Sequence, residues 1–254
     1  MQVNTSNFDE KKNQLGINIS NGLISFRKNS RKIMFRCISG KEQTDILQLI
    51  DRNFIADTYA ALNIKAKTVI DIGANIGDTA IYFAIFGAKH VYAFEPYPYI
   101  FHRAEENVRI NQLENKITLM NMGCGGENGV VRIRKNYRSG LGEMLKDTGS
   151  GKKINVVTLD WISSACAIRD AVLKIDCEGC EYEILLNSDT GTLRKFKTMF
   201  IKYHNGYAKL LEKLETAGFE VKAIPPLPAW NNKVTRNKNI RGSLLAKRTR
   251  LVKK

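Results

Sequence analysis

Val69-Ile-Asp-Ile-Gly-Ala-Asn-Ile-Gly-Asp-Thr79 decides the fold of this 254-residue chain. Val69 to Ile72 is a short, mainly β-branched run that reads as a buried strand. Gly73 ends it, and Gly77 opens the stretch Asp78 to Phe86, which reads as a helix. Strand, glycine turn and helix make the first unit of a nucleotide-binding α/β fold. The spacing then separates cofactors. A dinucleotide fingerprint, Gly-x-Gly-x-x-Gly, needs its second glycine so that the backbone can approach a pyrophosphate. Here the spacing is Gly73-x-x-x-Gly77, and Asn75 stands where that glycine would be, which suits a nucleoside without phosphate. No Gly-Lys-Ser/Thr element is present to cradle a phosphate. Glu95, in Tyr92-Ala-Phe-Glu95-Pro96, ends the next apolar strand, where a carboxylate can accept hydrogen bonds from both ribose hydroxyls. A ribose reader without a phosphate cradle points to S-adenosylmethionine. Packing alone would account for Gly73 and Gly77, but not for the carboxylate that follows them.

Outward from this unit the chain alternates strand and helix. Strands are expected at Thr68 to Ile72, His90 to Phe94, Ile117 to Met122, Val172 to Ile175 and Thr198 to Tyr203, with Phe219 to Ile224 and Gly242 to Lys247 closing the sheet. Helices are expected at Gly77 to Phe86, Tyr99 to Asn111, Tyr182 to Asn187 and Tyr207 to Ala217. An insertion with strands Val130 to Lys135 and Asn155 to Leu159 surrounds the basic loop Ser139 to Lys153, and Pro225-Pro-Leu-Pro228 forces a loop. Alternation of this kind implies a mostly parallel seven-stranded sheet with helices on both faces. In front of it, Ile17 to Ile38 reads as a hairpin turning at Lys28-Asn-Ser-Arg31, and Gly40 to Asn63 as a helix. The expected organisation is a hairpin-and-helix cap over 1–66, a catalytic domain over 67–248 and a basic tail over 249–254.

The composition is that of a soluble globular protein, and the longest apolar stretch, Ala80 to Ala88, is too short to span a bilayer. The first ten residues lack the charged start and apolar core of a secretory signal, so a cytoplasmic location is expected. Net charge is +15, from 40 Lys and Arg against 25 Asp and Glu. Nine bases and no acid follow Asn231 (Lys233, Arg236, Lys238, Arg241, Lys247, Arg248, Arg250, Lys253 and Lys254), and a second basic run holds Arg132, Arg134, Lys135 and Arg138. Such runs suit nucleic acid or another anionic partner, or are simply solvated; no aromatic stacking pattern accompanies them. The single Cys177-Glu-Gly-Cys180 lacks the second ligand pair of a zinc site, so no metal is expected and the two cysteines read as small buried residues.

In a parallel sheet, ligands bind at the carboxyl ends of the strands where strand order reverses. Asp176 and Glu178 follow one strand and His204 follows its neighbour, facing Gly73, Asn75 and Glu95 across that crevice. A buried carboxylate pair in a cleft calls for hydrogen bonds or a function. A histidine there has an ordinary pKa suited to taking the proton of a methyl acceptor. Asp176, His204 and Glu178 are therefore the candidate catalytic residues.

Val69-Ile-Asp-Ile-Gly-Ala-Asn-Ile-Gly-Asp, Phe94-Glu-Pro, Leu173-Lys-Ile-Asp-Cys-Glu-Gly and Tyr203-His204 with Leu214 and Ala217-Gly-Phe219 resemble the FkbM-type methyltransferases over roughly Phe54 to Ile224. The resemblance implies a class I, Rossmann-like, S-adenosylmethionine-dependent fold and O-methylation of sugar or polyketide hydroxyls. It implies that Asp71, Gly73, Ala74, Asn75, Gly77, Glu95 and Pro96 hold the cofactor, that Gly123 and Cys124 lie beside the adenine, and that Asp176 lies near the methyl group. One position departs: family members often carry an acid two residues before the histidine, and this chain has Lys202. A small-molecule or glycan acceptor is the leading expectation. The alternatives are an RNA methyltransferase that uses the basic insertion and tail, and a cofactor-binding protein without catalysis.

Overall fold

The computed structural model describes residues 15–133, 148–224 and 241–249. Left-handed backbone at Asn21-Gly22 (φ 50° and 68°) and at Asn29-Ser30 (φ 50° and 62°) folds the front of the chain. These turns reverse β1 (Asn18–Ser20), β2 (Leu23–Lys28) and β3 (Arg31–Arg36) into an antiparallel meander. Positive φ at both central residues gives a two-residue turn the twist its strands need. The second turn is the expected one, while the Asn-Gly step adds a strand to the expected hairpin. Helix α1 (Gly40–Ile50) follows, with the Ser39 side chain accepting from the Glu42 backbone N–H, and runs into a π-helical turn, Asp51–Ile55. The helix expected to Asn63 therefore ends eight residues earlier.

The main sheet contains β4 (Thr68–Ile72), β5 (His90–Phe94), β6 (Ile117–Met120), β10 (Ala171–Ile175), β11 (Phe196–Tyr203), β12 (Phe219–Ile224) and β13 (Gly242–Arg248). Its order is β12-β13-β11-β10-β4-β5-β6, and only β13 runs antiparallel to its neighbours. The helices α2 (Asp78–Ile85), α3 (Pro98–Ile110), α5 (Glu181–Asn187) and α7 (Ala208–Thr216) alternate with the strands. Between β6 and β10 a small sheet of β7 (Gly123–Cys124), β8 (Gly129–Ile133) and β9 (Lys152–Val157) precedes α4 (Leu159–Ala165), and a short α6 (Thr190–Leu193) precedes β11. The strand expected to reach Leu159 stops at Val157 because Thr158 caps α4, accepting from Trp161 N at 3.1 Å. Arg134, Lys135, Arg138, the proline loop and every tail base except Arg241, Lys247 and Arg248 lie outside the described residues. Thr249 donates through N and Oγ1 to Gly218 O at 3.0 and 2.9 Å, so the first residue of the expected tail belongs to the sheet edge. Among the described residues no helix is long and apolar enough to cross a membrane.

Cap and sheet share one core. Buried Phe26 and Phe35 pack on Phe54, Phe54 on Tyr82, and Tyr82 on Tyr59, which meets Phe200 of β11 at 5.0 Å between ring centres. Among the described residues the edge of β3 has no neighbouring strand; α3 lies there instead. Asn107, Asn111 and Arg103 recur every four residues and so share a face of the helix. Asn111 accepts from Met34 N at 3.0 Å and donates to Met34 O at 2.6 Å. Asn107 accepts from Arg36 N at 2.8 Å and donates to Ile76 O at 2.9 Å, while Arg103 donates to Arg36 O at 2.8 Å. Side chains thus satisfy the backbone groups that an exposed strand edge leaves open.

Asn107→Ala leaves the Arg36 N–H and the Ile76 carbonyl without this partner. A loss of about 1–3 kcal/mol per buried orphan is expected, read as a lower urea midpoint at unchanged slope. An unchanged midpoint would show that water replaces the amide.

Candidate active site

The chain begins its main sheet at β4, builds out to β6, and returns to the centre at β10, so strand order reverses between β4 and β10. Gly73 sits at that reversal with φ 78°, and a Cβ there would lie 2.1 Å from the Asp176 carbonyl oxygen. No other residue fits. Gly77 (φ 82°) caps the start of α2, and a Cβ there would lie 3.4 Å from Ala104. The Gly73 and Ala74 N–H groups both donate to Phe94 O at 3.0 Å, joining the turn to the end of β5. Asn75 is left-handed (φ 50°) and donates its N–H to Glu95 Oε2 at 3.0 Å, and Tyr97 N donates to Oε1 at 3.0 Å. The Asn121 amide holds the Glu95 and Pro96 carbonyls at 2.8 and 2.9 Å. Gly73, Ala74, Asn75, Gly77, Glu95 and Pro96 thus form one unit.

Burial pushes the Glu95 carboxyl up to about 7, against the pull of its two backbone donors. Each oxygen accepts from one N–H and has a second lone pair, so the pair of oxygens can accept from two further donors, as the expected ribose would supply. Gly123 and Cys124 are buried in β7, just beyond Asn121, and burial raises the Cys124 thiol. Asp71 is differently placed from the rest. Its carboxylate is buried against Lys174 (2.8 Å) and Thr79 Oγ1 (2.5 Å), so it supports the turn from beneath.

Opposite this unit, the ends of β10 and β11 bring Asp176, Glu178 and His204 together. Glu178 (φ 55°) and Gly179 (φ 124°) bend the loop after β10. That bend brings the Cα atoms of Cys177 and Cys180 to 5.6 Å, and the two form a disulfide. This corrects the reading of two separate buried cysteines. His204 lies between two carboxylates, with Nε2 3.1 Å from Glu178 and Nδ1 3.0 Å from Glu181. Burial works against its charged form, but the hydrogen bonds and charges of Glu178 and Glu181 raise the imidazole to about 9. At neutral pH it is a cation, whereas the sequence suggests a neutral base. Lys202 Nζ is 3.2 Å from Asp176 and 3.7 Å from Glu178. Asp176 would be raised by burial, yet Lys202, Arg52, Lys174 and His204 hold it well below the usual carboxylate range. Glu178 is likewise lowered: burial opposes this, and His204 and Lys202 overcome it. Ligand atoms of Asp176, Glu178 and His204 lie within 4.8 Å of one another, close enough for a metal ion, and the Lys202 ammonium stands beside both carboxylates.

Sequence reasoning misses Arg52, Lys174 and Glu181. Glu181 was legible, being a carboxylate in the first turn of the helix that follows the Asp176 loop. It is fully buried and accepts from the N–H groups of His204 and Gly179 at 3.0 and 2.8 Å. Arg52 comes from the cap, with 3.8 Å to Asp176 and 3.9 Å to Asp78.

The family described as Methyltransferase FkbM domain matches residues 71–221. That is more than half of the chain, and the chain belongs to this family. It is 27% identical over 124 residues to the tRNA(Phe) (4-demethylwyosine(37)-C(7)) aminocarboxypropyltransferase of Pyrococcus horikoshii, covering 48% of this chain and 40% of that protein. It is 43% identical over 54 residues to the ribosomal protein L11 methyltransferase of Carboxydothermus hydrogenoformans, covering 21% of this chain and 18% of that one. The matches thus span less than half the length of either relative. Among solved structures, methyltransferase FkbM of Methylobacillus flagellatus aligns with 17% identity and a TM-score of 0.47, over 72% of this chain and 43% of that chain. The matched family is described as a methyltransferase domain, which agrees with the class I sheet order described above and with S-adenosylmethionine as the cofactor.

The buried Glu95 generates a pH test. If Glu95 reads the ribose, hydroxyls donating to its ionised carboxylate should on cofactor binding lower a carboxyl that stands at about 7 in the free protein. Affinity should therefore rise from pH 5.5 toward 7.5 with proton release, and Glu95→Gln should flatten that rise. Calorimetry in two buffers of different ionisation enthalpy reads it. A slope unchanged in Glu95→Gln would move the ribose elsewhere.

Proposed function

We propose that this protein methylates a hydroxyl group of a sugar, glycan or other small molecule. The observation that supports this reading best is the Asp176–Glu178–Lys202–His204 cluster at two strand ends facing the Gly73 turn. The bound cofactor supplies a methyl group on a sulfonium centre. The chain's own residues position the acceptor and remove its proton. Asp176, held by Lys202 and Arg52, is a weak base and does not take the proton. Glu178 is among the more open members of the cluster, with a quarter of its side chain exposed. Its Oε2 is fixed by the imidazolium of His204, and its Oε1 is the oxygen that takes the hydroxyl proton. A carboxylate of low basicity is adequate, because a hydroxyl oxygen becomes strongly acidic as it gains a methyl group. His204 acts as a fixed cation that positions Glu178. The remaining barrier reduction comes from holding acceptor and methyl group in line.

A second reading, an RNA acceptor, draws on the tRNA-modifying relative and on Arg132, which pairs with Lys153 across β8 and β9, with Lys152 next to it. Filter binding of transfer RNA across a salt series tests it. Phosphate contacts give a slope near −0.9 per contact on duplex, and a flat line would remove this reading.

For the principal reading, Glu178→Gln should lower turnover by about 10²–10⁴-fold with cofactor affinity within a few-fold of wild type. At saturating cofactor, where the Glu95 titration does not limit the rate, the pH–rate profile should be flat from pH 6 to 8, since Glu178 is already ionised and His204 already protonated. It should bend near pH 9 as His204 loses its proton. His204→Gln should abolish that bend. A rate that climbs tenfold per pH unit from 6 to 8 would instead make His204 the base.

A further inference from the structure

One side chain of the cap reaches the crevice. Arg52 lies on the π-helical turn Asp51–Ile55, a geometry in which an extra residue per turn re-aims side chains and which recurs at functional sites. The turn is held from its apolar side by Phe54, which is fully buried and packs against Phe26 and Tyr82 at 5.0 and 5.6 Å. It is held from its polar side by Asn53, also fully buried, whose amide donates to Asp78 at 2.5 Å and accepts from Arg52 Nε at 3.2 Å. The guanidinium therefore has a fixed bearing. With 14% of the side chain exposed, it points between the start of α2 and the end of β10, Nη2 being 3.9 Å from Asp78 and Nη1 3.8 Å from Asp176. These two separations are charge contacts, longer than hydrogen bonds.

We propose that Arg52 binds the carboxylate of the methionine end of S-adenosylmethionine, with Asp176 facing the ammonium group of the same end. The inference rests on the cofactor assignment and extends it to a residue outside the family's matched segment. Strand order carries the first argument. In β10-β4-β5 the turn at Gly73 lies between Glu95 on one side and Asp176 on the other. A nucleoside whose ribose is read by Glu95 sends its amino-acid end over Gly73 toward Asp176 and Arg52. Charge carries the second. An amino-acid end is a zwitterion, and Asp176 and Arg52 present the complementary pair of charges a few ångströms apart. Accepting it would set a closer charge pair on each of Arg52 and Asp176 without changing the net charge of the crevice. The third argument is shape, because a planar guanidinium matches a carboxylate through two parallel N–H donors.

The test compares S-adenosylmethionine with its decarboxylated form, which keeps the nucleoside, sulfonium and ammonium and lacks only the carboxylate. Calorimetry on wild type should show the decarboxylated compound binding about 10–100-fold more weakly, the factor for a charge-assisted contact. Arg52→Met should weaken S-adenosylmethionine by a similar factor and leave the decarboxylated compound within a few-fold, while Arg52→Lys should retain part of the discrimination. Equal binding of the two compounds by wild type overturns the proposal without any variant, so it stays testable even if Arg52→Met folds poorly. Equal weakening of both compounds in a folded Arg52→Met also overturns it, making the arginine a structural cation. A wild type that binds neither compound removes the cofactor assignment itself, and this proposal with it.

Discussion

The ion pair between Asp71 and Lys174 joins the two strands on which the site is built. Lys174 lies opposite Asp71 in the β4–β10 register, and their charged atoms are 2.8 Å apart with almost no exposed surface. Lys174 also donates to the carbonyls of Gly73 and Ile72, and Thr79 donates to the far oxygen of Asp71. Burial alone would push the lysine down; Asp71 holds it above the ordinary lysine range. Both ions are therefore committed. Removing one partner of such a pair strands the other charge, at a cost of about 3–5 kcal/mol. The consequence is positional. With β4 fixed against β10, the Gly73 turn lies against the Asp176 carbonyl so closely that no side chain fits between them. Cofactor half and acceptor half are thereby set at one separation by a contact that touches neither ligand.

This dependence explains what the sequence discloses. Val69 to Thr79 reads correctly as strand, turn and helix because its pattern is local: β-branched residues, then two glycines at left-handed positions. The seven strands follow from the same kind of signal, and the Asn21-Gly22 turn was legible in the same way although it adds an unexpected strand. Glu95, Asp176 and His204 lie at the carboxyl ends of β5, β10 and β11, as the strand pattern predicts. What local pattern cannot show is pairing at long range. Lys174 reads as one polar residue in an apolar strand until register sets it opposite Asp71, 103 positions earlier. Arg52 reads as a polar residue of a cap helix until the π-helical turn re-aims it. Asn107 and Asn111 look like solvated helix positions until the edge of β3 arrives. The histidine shows the same limit in its chemistry: its position is readable, but its charge depends on Glu178 and Glu181, which the loop after β10 and the helix that follows it bring to the end of β11.

Charge balance then limits what the acceptor side can do. Asp176, Glu178 and Glu181 face Lys202, His204 and Arg52, three carboxylates against three cations in a largely buried cluster, with Asp78 on the far side of Arg52 raised by burial. Charges of either sign left unmatched at this depth would be neutralised by a shifted pKa. Lys202 is therefore more than a substitution in a family pattern. An acid at that position would add a fourth negative charge beside Asp176 and Glu178 and would raise one of the three carboxyls or draw in a cation. With lysine there, Asp176 and Glu178 remain ionised in the folded protein itself, and Glu178 remains a proton acceptor across the neutral range. A cluster already balanced disfavours an acceptor whose reacting end is charged, since either sign would upset the match. It accommodates a neutral polar group whose proton can be handed to a carboxylate. A hydroxyl meets both conditions, which is why the Lys202 departure, read with its contacts, strengthens the case for oxygen methylation.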